Sequence, residues 1–283
     1  MTLVMGIVNA TPDSFSDGGR YFGGDAAIEH GRRLAAAGAD ILDIGGESTR
    51  PGAVRVAPSE ELARVLPVIE ALAAEGTMIS VDTMNASTAS AAISAGALIV
   101  NDVSGGLSDP DILDVVAETE AHIALGHWRG PSADMYARAT YDDIVAEVVA
   151  ELAERAHEAL ATGIPPGRII LDPGFGFGKR GAQNWTLLRG LERVVALGSR
   201  VLVGTSRKGF LAEALEHVAP DAGEGQAAEH RRDLATAVTS VRAAEAGAWA
   251  VRVHDVAASR DALAIWESSA APARHVADEG TAR

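Results

Sequence analysis

Eight short apolar runs recur along the chain, each closing on polar or glycine-rich residues: Leu3–Asn9, Asp40–Ile44, Met78–Asp82, Ala97–Asp102, His122–His127, Arg168–Asp172, Arg200–Gly204 and Trp249–His254. Most are continuous rather than alternating, the pattern of strands covered on both faces. Between them lie Ala-, Leu- and Glu-rich stretches with helical spacing, including 25–37, 59–74, 86–94, 141–161 and 233–246. Gly38, Gly76, Gly96, Gly163, Gly198 and Gly247 stand where a helix C-cap calls for glycine. The tripeptide Ala-Gly-Ala recurs at 37–39, 95–97 and 246–248 and leads each time into a strand. Strict alternation of strand and helix implies a parallel sheet with right-handed crossovers. Eight such units fit one closed (β/α)₈ TIM barrel over residues 1–270 better than an open sheet, and the glycine fingerprint of a dinucleotide fold is missing after the first strand, where Asn9-Ala10-Thr11-Pro12 stands instead. Residues 217–232, with Pro220, Gly223 and Gly225, predict an excursion before the last long helices, and residues 271–283 a disordered tail.

Composition narrows the function. The chain has 283 residues, and its 24 Lys plus Arg against 39 Asp plus Glu give a net charge of −15. So acidic a surface argues against nucleic acid as a partner, though not against a small anion held in a locally basic cleft. With no cysteine, disulfides, thiolate metal sites and a Cys nucleophile are excluded. The opening Met-Thr-Leu-Val-Met-Gly lacks the basic and long apolar regions of a signal peptide. No apolar run reaches the ~18 residues that span a bilayer. A soluble cytoplasmic protein without a membrane partner is expected.

In such a barrel the active site lies at the carboxyl ends of the strands. Those ends carry Asn9, Asp43, Asp82, Asn101-Asp102, His127, Asp172, Ser206-Arg207-Lys208 and Arg252-Val253-His254-Asp255. Polar groups spread around one rim converge on one pocket. Asp43, Asp102 and Asp255 read as turn formers or helix caps, and His127 as a hydrogen-bonded strand-end histidine rather than a metal ligand. Arg50, Lys208, Arg252 and His254 suit a diphosphate, because the loops after strands 7 and 8 often form a phosphate site. Asp82, Asn101 and Asp172 suit a planar amino-heterocycle read by paired hydrogen bonds.

The run from Met5 to Gly19 and the run from Asp43 to Gly52 resemble the two long signatures of the dihydropteroate synthase family. Ser80–Thr83, Asn101–Gly106, Asp172–Lys179, Ser206–Lys208 and Arg252–Asp255 continue in family order. The resemblance covers roughly residues 4 to 268. It implies condensation of 6-hydroxymethyl-7,8-dihydropterin diphosphate with 4-aminobenzoate, giving 7,8-dihydropteroate and pyrophosphate. By that likeness Asp82, Asn101, Asp172 and Lys208 hold the pterin, and Asp82, Asp172, Lys208 and Arg252 carry the catalysis. Asn9, Arg50, Arg252 and His254 hold the diphosphate, with Asn9 beside a Mg²⁺. Phe15, Thr49, Arg50, Pro51, Phe177 and Ser206 form the aminobenzoate side, which would also receive sulfonamides.

A dissociative course is expected, with pyrophosphate leaving before the neutral aryl amine attacks, and with no nucleophilic triad. The glycine-rich loops after strands 1 and 2 suggest a lid that orders over the diphosphate. One departure from the family pattern is Gly126, where Met is common before His127. A Met there would pack on the pterin face, so glycine leaves a gap that lowers pterin affinity unless a neighbour fills it. The rival readings are a catalytically silent pterin-binding paralogue and a corrinoid-linked methyltransferase, which would not need the Ser-Thr-Arg-Pro loop. Family likeness further implies a homodimer, for which Val238, Val241, Ala243, Ala244, Ala246 and 263–266 offer a surface.

Overall fold

The structure is a computed structural model that describes residues 1–11, 22–48, 55–131, 136–137, 139–218 and 225–270. Eight parallel strands close into a barrel in chain order. They are β1 (Leu3–Asn9), β2 (Ile41–Gly45), β3 (Met78–Asp82), β4 (Ile99–Asp102), β5 (His122–Gly126), β6 (Ile169–Asp172), β7 (Arg200–Val203) and β8 (Ala250–Val253). The barrel shuts where Leu3–Gly6 of β1 pair with Ala250–Val253 of β8. All eight expected strands are present, each within two residues of its expected bounds.

Among the described residues ten helices surround the barrel: α1 (Phe22–Ala36), α2 (Pro58–Ala74), α3 (Ala86–Ser94), α4 (Asp111–Ala117), α5 (Ile144–Ala161), α6 (Gly181–Arg189), α7 (Leu191–Val195), α8 (Gly209–Val218), α9 (Gln226–Glu245) and α10 (Val256–Ala270). Helix α5 starts where the Asp143 carboxylate accepts from Val145 and Ala146 N–H, which satisfies two donors a helix start leaves open. All six glycines expected to stop helices have positive φ, from 83° to 112°. The expected excursion over 217–232 is corrected in part: Gln226–Arg232 already belong to α9, whose Ala, Glu and Arg content favours a helix. Residues 219–224 and the tail 271–283 lie outside the described residues. No described helix is long and apolar enough to cross a membrane.

Two apolar layers hold the fold. The larger packs helices on the outside of the sheet, through residues such as Leu34, Val65, Leu72, Val148, Leu152 and Leu263. The smaller fills the barrel itself with Met5, Ile41, Ile99, Ala124, Ile170, Leu202 and Ala250, one from each of seven strands. Burying each of the Met, Ile and Leu side chains contributes about 1.5–3 kcal/mol. Strand period two then dictates what stands above this plug. Two residues on from Ile41, Ile99, Ala124, Ile170, Leu202 and Ala250 come Asp43, Asn101, Gly126, Asp172, Gly204 and Arg252. The apolar plug is therefore the floor of a charged layer.

The outer face of α9 and α10 exposes Leu234, Val238 and Ile265, whereas Ala243 and Ala244 are buried. Those two alanines are thus removed from the surface expected to meet a partner. They pack a helix onto the barrel.

Candidate active site

Arg252 stands at the centre of the charged layer. Its Nε donates to Asp43 Oδ2 and its Nη2 to Asp82 Oδ2, both at 2.6 Å. Asn101 Nδ2 donates to the same Asp43 oxygen at 3.1 Å. Asp43 is fully buried, and its Oδ1 has no hydrogen-bond partner among the described residues. The expectation that Asp43 is a turn former is corrected: its side chain points into the barrel, two residues beyond Ile41, and orients Arg252. That parity was the signal in the sequence. Asp102 does shape a turn, accepting from Ser104 and Gly106 N–H, and Asp255 accepts from Ala258 N–H at the start of α10.

Asp172 faces the same space. A Cβ added to Gly204 would lie 3.9 Å from both Asp172 Oδ2 and Arg252 Cβ, so the absent side chain leaves these two as neighbours. Asp172 Oδ1 accepts from Gly174 N–H at 2.7 Å. Burial raises the Asp82 pKa, against the opposing pull of Arg252, and burial likewise raises that of Asp172. Lys208 completes the group. Its side chain runs over Gly176, where a Cβ would meet Lys208 Cδ at 2.8 Å, and its Nζ sits 3.8 Å from the Phe177 ring centroid. Burial, then the charge of Arg252, lowers Lys208 to about 8.

The turn after β7 shows why Ser206 and Lys208 serve the rim while Arg207 does not. Arg207 adopts φ 57°, the sole positive value among described non-glycine residues. Its guanidinium turns outward to Asp233 at 2.7 and 2.8 Å, and that bidentate pair offsets the cost of the backbone conformation. Ser206 Oγ accepts His254 N–H at 3.1 Å and lies 2.8 Å from His254 Nδ1. Two residues expected on different ligands are therefore joined, because β7 and β8 are adjacent.

Asp82, Asn101, Asp172, Lys208 and Arg252 are thus brought together, with Phe177 against Lys208. Asn9 ends β1 beside Gly45, on the same rim. Phe15, Thr49, Arg50 and Pro51, and with them the expected lid, lie outside the described residues.

Gly126 leaves no gap. A Cβ there would stand 2.5 Å from the Val103 carbonyl oxygen and 2.7 Å from Val103 Cα. The neighbour that fills the space is backbone, which corrects the expectation of a gap. His127 meets the expectation of a hydrogen-bonded strand end: Nδ1 lies 2.8 Å from Lys179 Nζ and Nε2 2.9 Å from Glu151 Oε2.

The family model described as pterin binding enzyme matches residues 5–254. A dihydropteroate synthase from Mycobacterium leprae is 49% identical over 267 residues, which cover 93% of this chain and 91% of that protein. The chain belongs to the dihydropteroate synthase family. Two solved members of that family share its fold. The Xanthomonas albilineans dihydropteroate synthase with 4-aminobenzoic acid superposes with a TM-score of 0.87 at 46% identity, covering 96% of this chain and 94% of that one. The Yersinia pestis dihydropteroate synthase with a sulfonamide drug gives 0.84 at 39% identity, covering 95% and 94%.

Proposed function

We propose that the charged layer above the apolar plug carries out the family's condensation, by dissociative substitution at the methylene of 6-hydroxymethyl-7,8-dihydropterin diphosphate. The enzyme is a transferase. The C–O bond to diphosphate breaks first, and its electron pair leaves with pyrophosphate. The 4-aminobenzoate nitrogen then forms the C–N bond of 7,8-dihydropteroate and releases a proton. The observation that carries this reading is the pairing of the part-buried Arg252 with the buried Asp43 and Asp82, beside Asn101, Asp172 and Lys208.

Asp82, Asn101, Asp172 and Lys208 hold the pterin by paired hydrogen bonds. Lys208 and Arg252, with the His254 imidazole, stabilise the departing charge, where preorganised cations in a dry site are worth several kcal/mol. Asp82 and Asp172, when ionised, steady the electron-poor methylene. Phe177 and Ser206 form the aminobenzoate side, with Phe15, Thr49, Arg50 and Pro51 from the loops, and the same side receives sulfonamides. Asn9 offers an amide oxygen at the rim, and among the described residues no group of three His, Asp or Glu is placed to hold a metal. A single amide oxygen is enough for Mg²⁺, which takes few protein ligands when phosphate oxygens and water complete its shell. When bound, Mg²⁺ neutralises charge on the diphosphate. The exposed Leu234, Val238 and Ile265 support a homodimer through α9 and α10.

A coupled assay for pyrophosphate release tests the activity. Sustained multiple-turnover release is expected only with both substrates present, and titration calorimetry should show 4-aminobenzoate binding that depends on pyrophosphate or pterin diphosphate. Pterin binding without any turnover would overturn the reading in favour of a silent pterin-binding protein.

A further inference from the structure

Lys179 closes the run Asp172–Lys179, and the reaction above gives it no role. It is nearly completely buried, at 1% exposure. Its Nζ lies 2.9 Å from Gly174 O, 3.0 Å from Phe177 O and 2.8 Å from His127 Nδ1. His127 Nε2 in turn faces Glu151 Oε2, whose other oxygen accepts from Arg129.

Lys179 Nζ donates to the Gly174 and Phe177 carbonyls and so closes the loop after β6 on itself, with His127 Nδ1 as its third neighbour. The Glu151 carboxylate on α5, 2.9 Å from Nε2, favours hydrogen on that side of a neutral His127 and a lone pair at Nδ1. With that tautomer an ammonium at Lys179 satisfies all three neighbours and pins the loop.

That loop is where the site's aromatic and cationic groups rest. Gly176 lies under the Lys208 stem and the Phe177 ring under Lys208 Nζ. Asn184 from α6 braces the same loop by accepting from Gly176 N–H and donating to Lys179 O. We propose that Lys179, oriented by His127 and Glu151, is a positioning residue that sets the Phe177 ring for 4-aminobenzoate. The proposal rests on the reading of Phe177 as part of the aminobenzoate side.

The test is a double-mutant cycle by steady-state pyrophosphate release at pH 6.5, with wild type, Lys179→Met, Phe177→Ala and the double variant. Lys179→Met is expected to raise KM for 4-aminobenzoate ~10-fold, since small misplacements of binding groups are costly. KM for the pterin diphosphate should stay within about twofold, and in the Phe177→Ala background the effect on 4-aminobenzoate should shrink below about twofold. Undiminished effect in that background, or a fall in thermal midpoint with both KM values unchanged, overturns the proposal. If Phe177→Ala alone leaves the 4-aminobenzoate KM untouched, the reading of Phe177 fails instead. Should Lys179→Met not fold, Glu151→Gln at the half-exposed end of the chain takes its place, with a smaller rise in the same constant; no rise overturns the proposal. Independently, ¹⁵N spectra of the wild type should show His127 protonated at Nε2 and bare at Nδ1, and the opposite tautomer overturns it.

Discussion

Two cations of the barrel, Arg252 and Lys179, are treated in opposite ways. Arg252 is matched by carboxylates, with Asp43 and Asp82 on two of its nitrogens. Lys179 is matched by neutral acceptors only, two carbonyls and an imidazole. The guanidinium keeps its charge at any working pH, its proton held more tightly by the paired carboxylates despite burial. The ammonium does not: burial, opposed by Asp172, brings Lys179 down to about 7. A charge needed for ligand chemistry is held by fixed counter-charges, and a charge needed for loop geometry is left to dipoles, which hold it less firmly.

The largest effect should come from breaking the first arrangement. Arg252→Ala leaves two buried carboxylates without their partner, a loss of about 3–5 kcal/mol for a broken buried pair. Urea unfolding should show it, and kcat/KM for the pterin diphosphate should fall about 10²–10³-fold. Normal turnover would remove Arg252 from the mechanism. Asp43→Asn should cost less, about 1–3 kcal/mol, because shape survives while a charged acceptor is lost. It should also weaken binding of the diphosphate-bearing substrate, because Arg252 loses its orienting partner. An Asn variant indistinguishable from wild type in both stability and KM would return Asp43 to the role of a turn former.

The smallest effect is a slope. The unfolded chain holds lysine near 10.5 and the folded one near 7, so between those values the unfolded state binds more protons and stability rises with pH. The groups facing Lys179 are Asp172 from β6, Glu151 from α5, His127 and Arg129 beyond β5, and Lys208 beyond β7. Lys208, lowered to about 8, contributes with the same sign. Lys179→Met should therefore flatten, without abolishing, the rise in denaturant midpoint from pH 7 to 10. An unchanged slope would mean that Lys179 titrates alike in both states.

The fold was legible because its signals are local: continuous apolar runs, helical spacing, and six glycines at helix ends. Much of the site was legible for the same reason, since Asp82, Asn101, Asp172 and Arg252 stand in the last two residues of β3, β4, β6 and β8, and Lys208 in the turn after β7. Asp43 was not, because an aspartate near a strand end reads equally as a cap until its face of the strand is known. Lys179 was hidden for a different reason. Its partners His127 and Glu151 lie 52 and 28 positions away in sequence, and nothing in the spacing ties a lysine after glycines to a histidine on the preceding strand. Gly126 misled because an empty side chain was read as empty space.

That last position has an evolutionary edge. Where one peptide unit leans directly on another strand, point substitution has little to work with: the Val103 main chain is the same whatever residue is coded there, and position 126 admits no Cβ while it stays put. Changing this wall requires the β4 loop to shift as a body, and that loop is tied down by three donors on Asp102, the Ser104 N–H and hydroxyl and the Gly106 N–H. Variation in this part of the rim is therefore expected to arrive as coupled changes across both strands.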